Sequence, residues 1–173
     1  MILIVQKEDP ILRAKALKVP VEEIQKENIQ SVLKDMKEAL KSQLDGVAIA
    51  APQIGKSLRI FIISGRIRNL LKKENTKEYP DEVFINPKII KLSKKKKKME
   101  EGCLSIRWLY GKVNRAERAT VEAYNEHGEL FTKGGSELLA QIFQHETDHL
   151  DGVLFTDKAE DIEEIPPEKQ KHD

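Results

Sequence analysis

The sequence predicts an α+β fold: short, mainly antiparallel strands packed around a central helix that carries a His-Glu-Thr-Asp-His motif, plus an amphipathic helix nearer the N-terminus. Three observations lead there. Apolar residues recur at helical spacing in two well-separated stretches. Short runs rich in Val, Ile and Phe cluster between them. No repeat period and no alternation of strands with helices is visible.

Between Glu27 and Leu44, Ile29, Val32, Leu33, Met36, Ala39 and Leu40 fall on one face, with lysines and glutamates on the other. This predicts one amphipathic surface helix. The runs Arg59 to Ser64, Glu82 to Asn86, Lys88 to Leu92, Thr120 to Asn125 and Glu129 to Thr132 are bounded by Gly, Pro or Asn and read as strands. Asn125 to Gly128 joins the last two as a hairpin turn, with Gly128 supplying a positive φ, so pairing is expected to be antiparallel. From Ser136 to Leu150 a second helix is predicted. In it Leu138, Ile142, His145 and His149 share one stripe and turn both histidines inward.

A chain of 173 residues with 39% hydrophobic content is expected to form one domain, residues 1 to 157. A charged, flexible tail, 158 to 173, should follow, with prolines at 166 and 167. The balance of 30 Lys+Arg against 29 Asp+Glu gives no reason to expect stable nucleic-acid binding. The apolar stretch Met1 to Val5 is too short for a secretion signal. No apolar stretch approaches the roughly 20 residues that span a bilayer. These readings suggest a cytoplasmic protein without membrane association, and a monomer. The single cysteine, Cys103, leaves no partner for an internal disulfide.

His145 and His149 lie one turn apart with Glu146 between them, so both imidazoles can reach one ion while the carboxylate stands beside an open coordination position. Two core histidines satisfied by hydrogen bonds, or a chance match, are the alternative; helical context and the lone cysteine favour the metal site. His127 in the hairpin turn and His172 in the tail are recruited by nothing and read as solvated. A catalytic site takes a third protein ligand, and Cys103 in Glu-Gly-Cys-Leu-Ser is the candidate; Gly102 there permits close backbone approach. On position alone, a lone cysteine is more often a small buried hydrophobe.

Three separated stretches, GVAIAAPQIG at 46 to 55, EGCLS at 101 to 105 and QHETDHLDG at 144 to 152, stand in the order found in peptide deformylases. The chain resembles that family over essentially residues 1 to 157. The resemblance implies removal of the N-formyl group from the N-terminal methionine of nascent polypeptides, releasing formate. It implies one divalent metal, Fe2+ in this family with Ni2+, Co2+ or Zn2+ as alternatives, on Cys103, His145 and His149. Glu146 would take a proton from the attacking water and pass it to the departing amine. Gln53 and the backbone N–H of Leu104 would receive the developing oxyanion.

The resemblance also implies that a formyl-methionyl peptide pairs as an added strand along Gly46 to Gln53. The substrate-contacting set is Gly46, Val47, Ala48, Met99, Gly102, Leu138 and Ile142. Val47, Met99, Leu138 and Ile142 would wall a methionine pocket, although each reads equally as core packing. Asp148 and Arg115 are expected to support the metal ligands from outside. The chain departs from the family pattern at Ala48, usually glycine, and at Arg107, usually proline. Ala48 restricts positive φ in the substrate-facing loop. Arg107, Trp108 and Tyr110 would line the outer cleft or stand exposed on its rim. Lys94 to Lys98 reads as a solvated loop, with a transient ribosome contact as its functional alternative. A zinc endopeptidase, a non-catalytic relative that binds metal or formyl-peptides, and a purely structural zinc site are the rival readings.

Overall fold

The computed structural model describes residues 2–73 and 77–167. In chain order its main elements are α1 (Glu27–Ser42), β1 (Ala48–Ala50), β2 (Ile60–Ile63), α2 (Arg66–Lys72), β3 (Glu82–Leu92), β4 (Lys96–Gly102), β5 (Leu109–Ala116), β6 (Arg118–Tyr124), β7 (Leu130–Ser136), α3 (Leu138–Leu150) and β8 (Glu160–Glu164). A five-stranded sheet has the order β1-β2-β3-β6-β7 and a three-stranded sheet the order β4-β5-β8. Every strand pairing is antiparallel.

The larger sheet has a helix on each face. Side chains alternate across a strand, and here both faces are apolar. Ile49, Ile60, Ile62, Val83 and Ile85 join Ile29, Leu33, Met36 and Leu40 of α1 in one cluster. Phe61, Ile63, Phe84, Val121 and Ala123 join Ala140, Ile142, Phe143 and Leu150 of α3 in another. The sequence Ile-Phe-Ile-Ile of β2 is therefore an unbroken apolar run because both of its faces are covered. Phe84 lies at the centre of the α3 side, stacked on Phe61 at 4.5 Å and tilted against Phe143 at 5.6 Å between ring centroids. Fully burying such a side chain stabilises the fold by about 1.5–3 kcal/mol. The smaller sheet, with Leu12, Leu154 and Phe155, closes a third cluster around Ile106 and Val113.

Several boundaries differ from the sequence-based expectation, each for a local reason. The first helix stops at Ser42 because Gln43 turns extended. The second begins at Leu138, since Ser136 ends β7 and Glu137 makes the turn with φ 51°. The two runs on either side of Asn86-Pro87 form one strand, β3, with a register shift there. Gly128 does have positive φ, 79°, in the β6–β7 hairpin. Lys96 to Lys98 belong to β4 rather than to a loop, and Lys95, Lys97 and Lys98 pair with Glu117, Glu137 and Glu160. The tail expected from residue 158 is corrected in part: Glu160–Glu164 is exposed but paired with β5 as β8. Residues 168–173, including His172, lie outside the described residues.

Asn86 makes the bend in β3 possible. It sits at φ 51°, a region asparagine tolerates better than most residues, and its side chain bonds both the N–H (2.9 Å) and the carbonyl (2.7 Å) of Val19. Asn86→Ala removes both bonds and leaves a methyl residue in a left-handed conformation. The expected loss is about 2 kcal/mol, read as a shift of the urea midpoint at unchanged slope; an unchanged midpoint would show that the bend holds without its side chain.

Candidate active site

α3 is buried in the middle of the molecule, and its His145 and His149, one turn apart, bring their ring centroids to 4.9 Å. Cys103 follows the last residue of β4. One ligand atom each from Cys103, His145 and His149 lies within 4.8 Å of the others, and His149 Nε2 stands 3.3 Å from Cys103 Sγ. The strand that delivers the cysteine needs the glycine before it. Gly102 pairs with Tyr110, and a Cβ at Gly102 would come within 2.7 Å of the Tyr110 ring.

Behind His145 runs a line of charges, buried at Glu101 and Arg115 and reaching the surface at Lys158. His145 Nδ1 meets Glu101 Oε2 at 2.9 Å. Glu101 accepts from Arg115 Nε (2.6 Å) and Nη2 (3.0 Å), and Arg115 Nη1 donates to Asp148 at 2.6 Å. Lys158 donates to both oxygens of Asp148 at 2.9 Å. Arg115 and Asp148, paired in expectation, are thus paired in fact. Burial pushes the Glu101 carboxyl up, but hydrogen bonds from His145 and Arg115 outweigh it and hold the group at about 2. Glu101 is the residue that sequence reasoning missed. Its signal was an acid two positions before a candidate ligand, on the strand that must approach the helix.

Glu146, 4% exposed, has a carboxylate oxygen buried without a partner, as is His149 Nδ1. Burial raises the Glu146 carboxyl to about 7. Burial counts against the charged form of His149 and lowers it well below the usual histidine range, with the neighbouring His145 adding to the effect. His145 moves the other way: burial opposes its charge, but hydrogen bonds to Cys103 and Glu101 raise it well above that range. Gln53 is 1% exposed and cannot be turned around. Its Oε1 accepts from Ala50 N at 2.8 Å, so its Nε2 points at Ser105 Oγ (3.2 Å) and Cys103 Sγ (3.5 Å).

These groups open into a cavity of about 340 Å³, a volume within the range of small-ligand sites. Gly46, Val47, Ala48, Gly102, Leu104, Leu138 and Ile142 all line it, with Gln53, Cys103, His145 and Glu146. Met99 is not among the lining residues; it sits three residues back in β4, opposite Val113. Arg107, Trp108 and Tyr110 do line the cavity, and the Arg107 guanidinium lies 4.7 Å from the Trp108 ring centroid. Ala48 lies in β1, buried against the α3 side of the sheet, with no positive φ, so its methyl group needs no glycine-like freedom. The geometry expected to be in doubt there is ordinary strand.

The polypeptide deformylase family model matches residues 1–164. The chain belongs to the polypeptide deformylase family. Peptide deformylase 2 of Clostridium acetobutylicum is 41% identical over 150 residues, covering 87% of this chain and 89% of that protein. A peptide deformylase of Dehalococcoides mccartyi is 38% identical over 165 residues, covering 94% and 90%. Among solved structures, the actinonin-bound class I type b peptide deformylase of Acinetobacter baumannii matches with a TM-score of 0.80 at 30% identity, covering 92% of this chain and 99% of the other. The Thermotoga maritima peptide deformylase matches at 0.79 and 32% identity, covering 92% and 98%. The protein is accordingly a deformylase, a hydrolase that removes the N-formyl group, from a metal-dependent family. The endopeptidase and binding-only readings are not favoured.

Proposed function

We propose that this deformylase acts on formyl-methionyl peptides through Glu146 as general acid and base, with one divalent metal held by Cys103, His145 and His149. The observation that carries this reading is the convergence of a thiol and two imidazoles within 4.8 Å beside a buried carboxylate with an unpaired oxygen. The donor set fits a catalytic ion: three protein ligands among the described residues, with one imidazole already oriented from behind by Glu101. When bound, the metal supplies a Lewis acid that polarises the formyl carbonyl and makes water nucleophilic near neutral pH.

The chain's own groups do the rest. Glu146 accepts a proton from the attacking water and returns it to the departing amine. Its burial raises its proton affinity towards neutrality, and a cation alongside opposes that rise. Gln53 Nε2 and the Leu104 N–H supply two donors fixed in advance for the oxygen that becomes negative, each worth a few kcal/mol, about 3 by order of magnitude. Gly46, Val47 and Ala48 present backbone at the outer edge of β1, the terminal strand of its sheet, where an extended peptide can add. Val47, Leu138 and Ile142 give the apolar wall for methionine. The same A. baumannii relative, bound to Met-Ala-Ser, supports a peptide substrate.

We assign Fe2+ as the working metal on family resemblance, although the donor set would bind Ni2+ or Zn2+ more tightly. We place the protein in the cytoplasm as a monomer acting on nascent chains; no helix among the described residues is long and apolar enough to cross a membrane. A ribosome contact through Lys94 to Lys98 loses support, because three of those lysines already face carboxylates of the same chain.

The direct test is anaerobic formate release from a formyl-methionyl tripeptide by iron- or nickel-loaded protein. Turnover with the tripeptide backbone left intact is the expected result. Backbone cleavage would point to an endopeptidase, and bound metal without turnover to a binding protein.

A further inference from the structure

The segment Gln43–Gly46, between α1 and β1, is held from within by one long turn bond, Gly46 N–H to Gln43 O at 3.3 Å, and Leu44 in it is 94% exposed. At the end of α1 the Leu40 carbonyl accepts from Gln43 N–H and the Ala39 carbonyl from Ser42 Oγ. Two arginines supply the fixation. Arg66, the first residue of α2, donates from Nη2 to the carbonyls of Leu40 (3.2 Å), Gln43 (3.0 Å) and Gly46 (2.8 Å). Its Nη1 donates to Leu44 O (3.1 Å) and its Nε to Ser64 Oγ (3.1 Å). From the loop after Cys103, Arg107 donates to Gln43 Oε1 (2.9 Å) and to both oxygens of Asp45 (2.6 and 3.3 Å).

All three guanidinium nitrogens of Arg66 are therefore spent on the end of α1, the stretch that follows it, and Ser64. The residue where that stretch ends, Gly46, is where the cavity wall begins, and Ala48 two residues on starts β1. A planar fork can hold several carbonyls at once in fixed directions, which a lysine ammonium cannot do. We infer that Arg66 is a positioning residue for substrate: it fixes the backbone of Gly46–Ala48 in the strand conformation that an incoming peptide must pair with. Arg66 touches no reacting atom. It lowers the ordering that peptide binding would otherwise require. The inference rests on the proposed addition of substrate to β1.

The two ideas separate in one experiment. Nickel-loaded parent, Arg66→Gln and Arg66→Lys are compared on formyl-Met-Ala-Ser and on formyl-methionine amide, which has no following residue to pair. Metal content and far-UV circular dichroism are measured alongside. The parent should show a lower KM for the tripeptide than for the amide. In Arg66→Gln the tripeptide KM should rise about tenfold, with kcat within about twofold, while the amide KM moves far less. Arg66→Lys should fall between; because it keeps the charge, it carries the test if the glutamine variant does not fold. An unchanged tripeptide KM, an equal rise for both substrates, or a loss confined to kcat would overturn the role of Arg66 and leave strand addition standing. A parent KM that ignores peptide length would overturn strand addition and the inference with it.

Discussion

Glu146→Gln lowers kcat/KM by about a thousandfold, the middle of the range for a positioned acid–base group, and leaves metal content at the parental level. The amide keeps the size and the burial of the side chain but can neither accept nor return a proton. Its effect on folding is small or favourable, because the parent buries a carboxylate oxygen without a partner and burial pushes that group up to about 7. Steady-state formate release on protein of measured metal stoichiometry checks it. Activity within tenfold of the parent would move the proton transfer to another group and leave Glu146 as packing.

The largest stability effect is expected at Arg115. The guanidinium is 3% exposed and bonds two carboxylates, Glu101 and Asp148. Arg115→Leu leaves Glu101 buried beside an apolar side chain, and breaking a buried pair from one side costs about 3–5 kcal/mol. Glu101 then keeps only His145 to hold it ionised, so His145 Nδ1 has a weaker anionic acceptor. Removing such outer support typically weakens metal binding by about 10–100-fold. Urea unfolding of the metal-free protein reads the first effect, and competition with a chromogenic chelator reads the second. A parental midpoint together with parental metal retention would refute both. Lys158, exposed at the far end of the same line, contributes much less, since solvent screens its charge.

Much of the site was legible because its parts are local in sequence. Two histidines and a glutamate within one helical turn declare their geometry as soon as the helix is recognised, and an apolar stripe of Leu138 and Ile142 leading into them orients that helix. The α1 face and the β6–β7 turn were legible for the same reason. What spacing could not show is what the tertiary fold imposes. β4 opens with three lysines, and it becomes a strand because β5 pairs with it and carboxylates from two other segments, Glu137 and Glu160, face Lys97 and Lys98. β1 is three residues, Ala-Ile-Ala, too short to show any period. Glu101 stood in the Glu-Gly-Cys-Leu-Ser stretch without a role, and only the approach of β4 to α3 puts it against an imidazole and a guanidinium. Met99 missed the cavity wall by one residue of strand: Glu100 beside it lines the cavity, while Met99 lies opposite Val113 in the sheet.

The pairing of charges behind α3 bears on the charge of the ion we propose for this site. Glu101 and Asp148 already face cations of this chain, Arg115 bonding both and Lys158 adding to Asp148 from the surface. Two negative groups then remain to face the ion: Cys103, which binds as a thiolate, and Glu146 when it is ready to accept a proton. A doubly charged cation makes this enclosed space electrically neutral. A singly charged ion would leave the enclosure anionic and a triply charged one would leave it cationic, each at the cost of burying net charge among Ile142, Phe143 and Leu150.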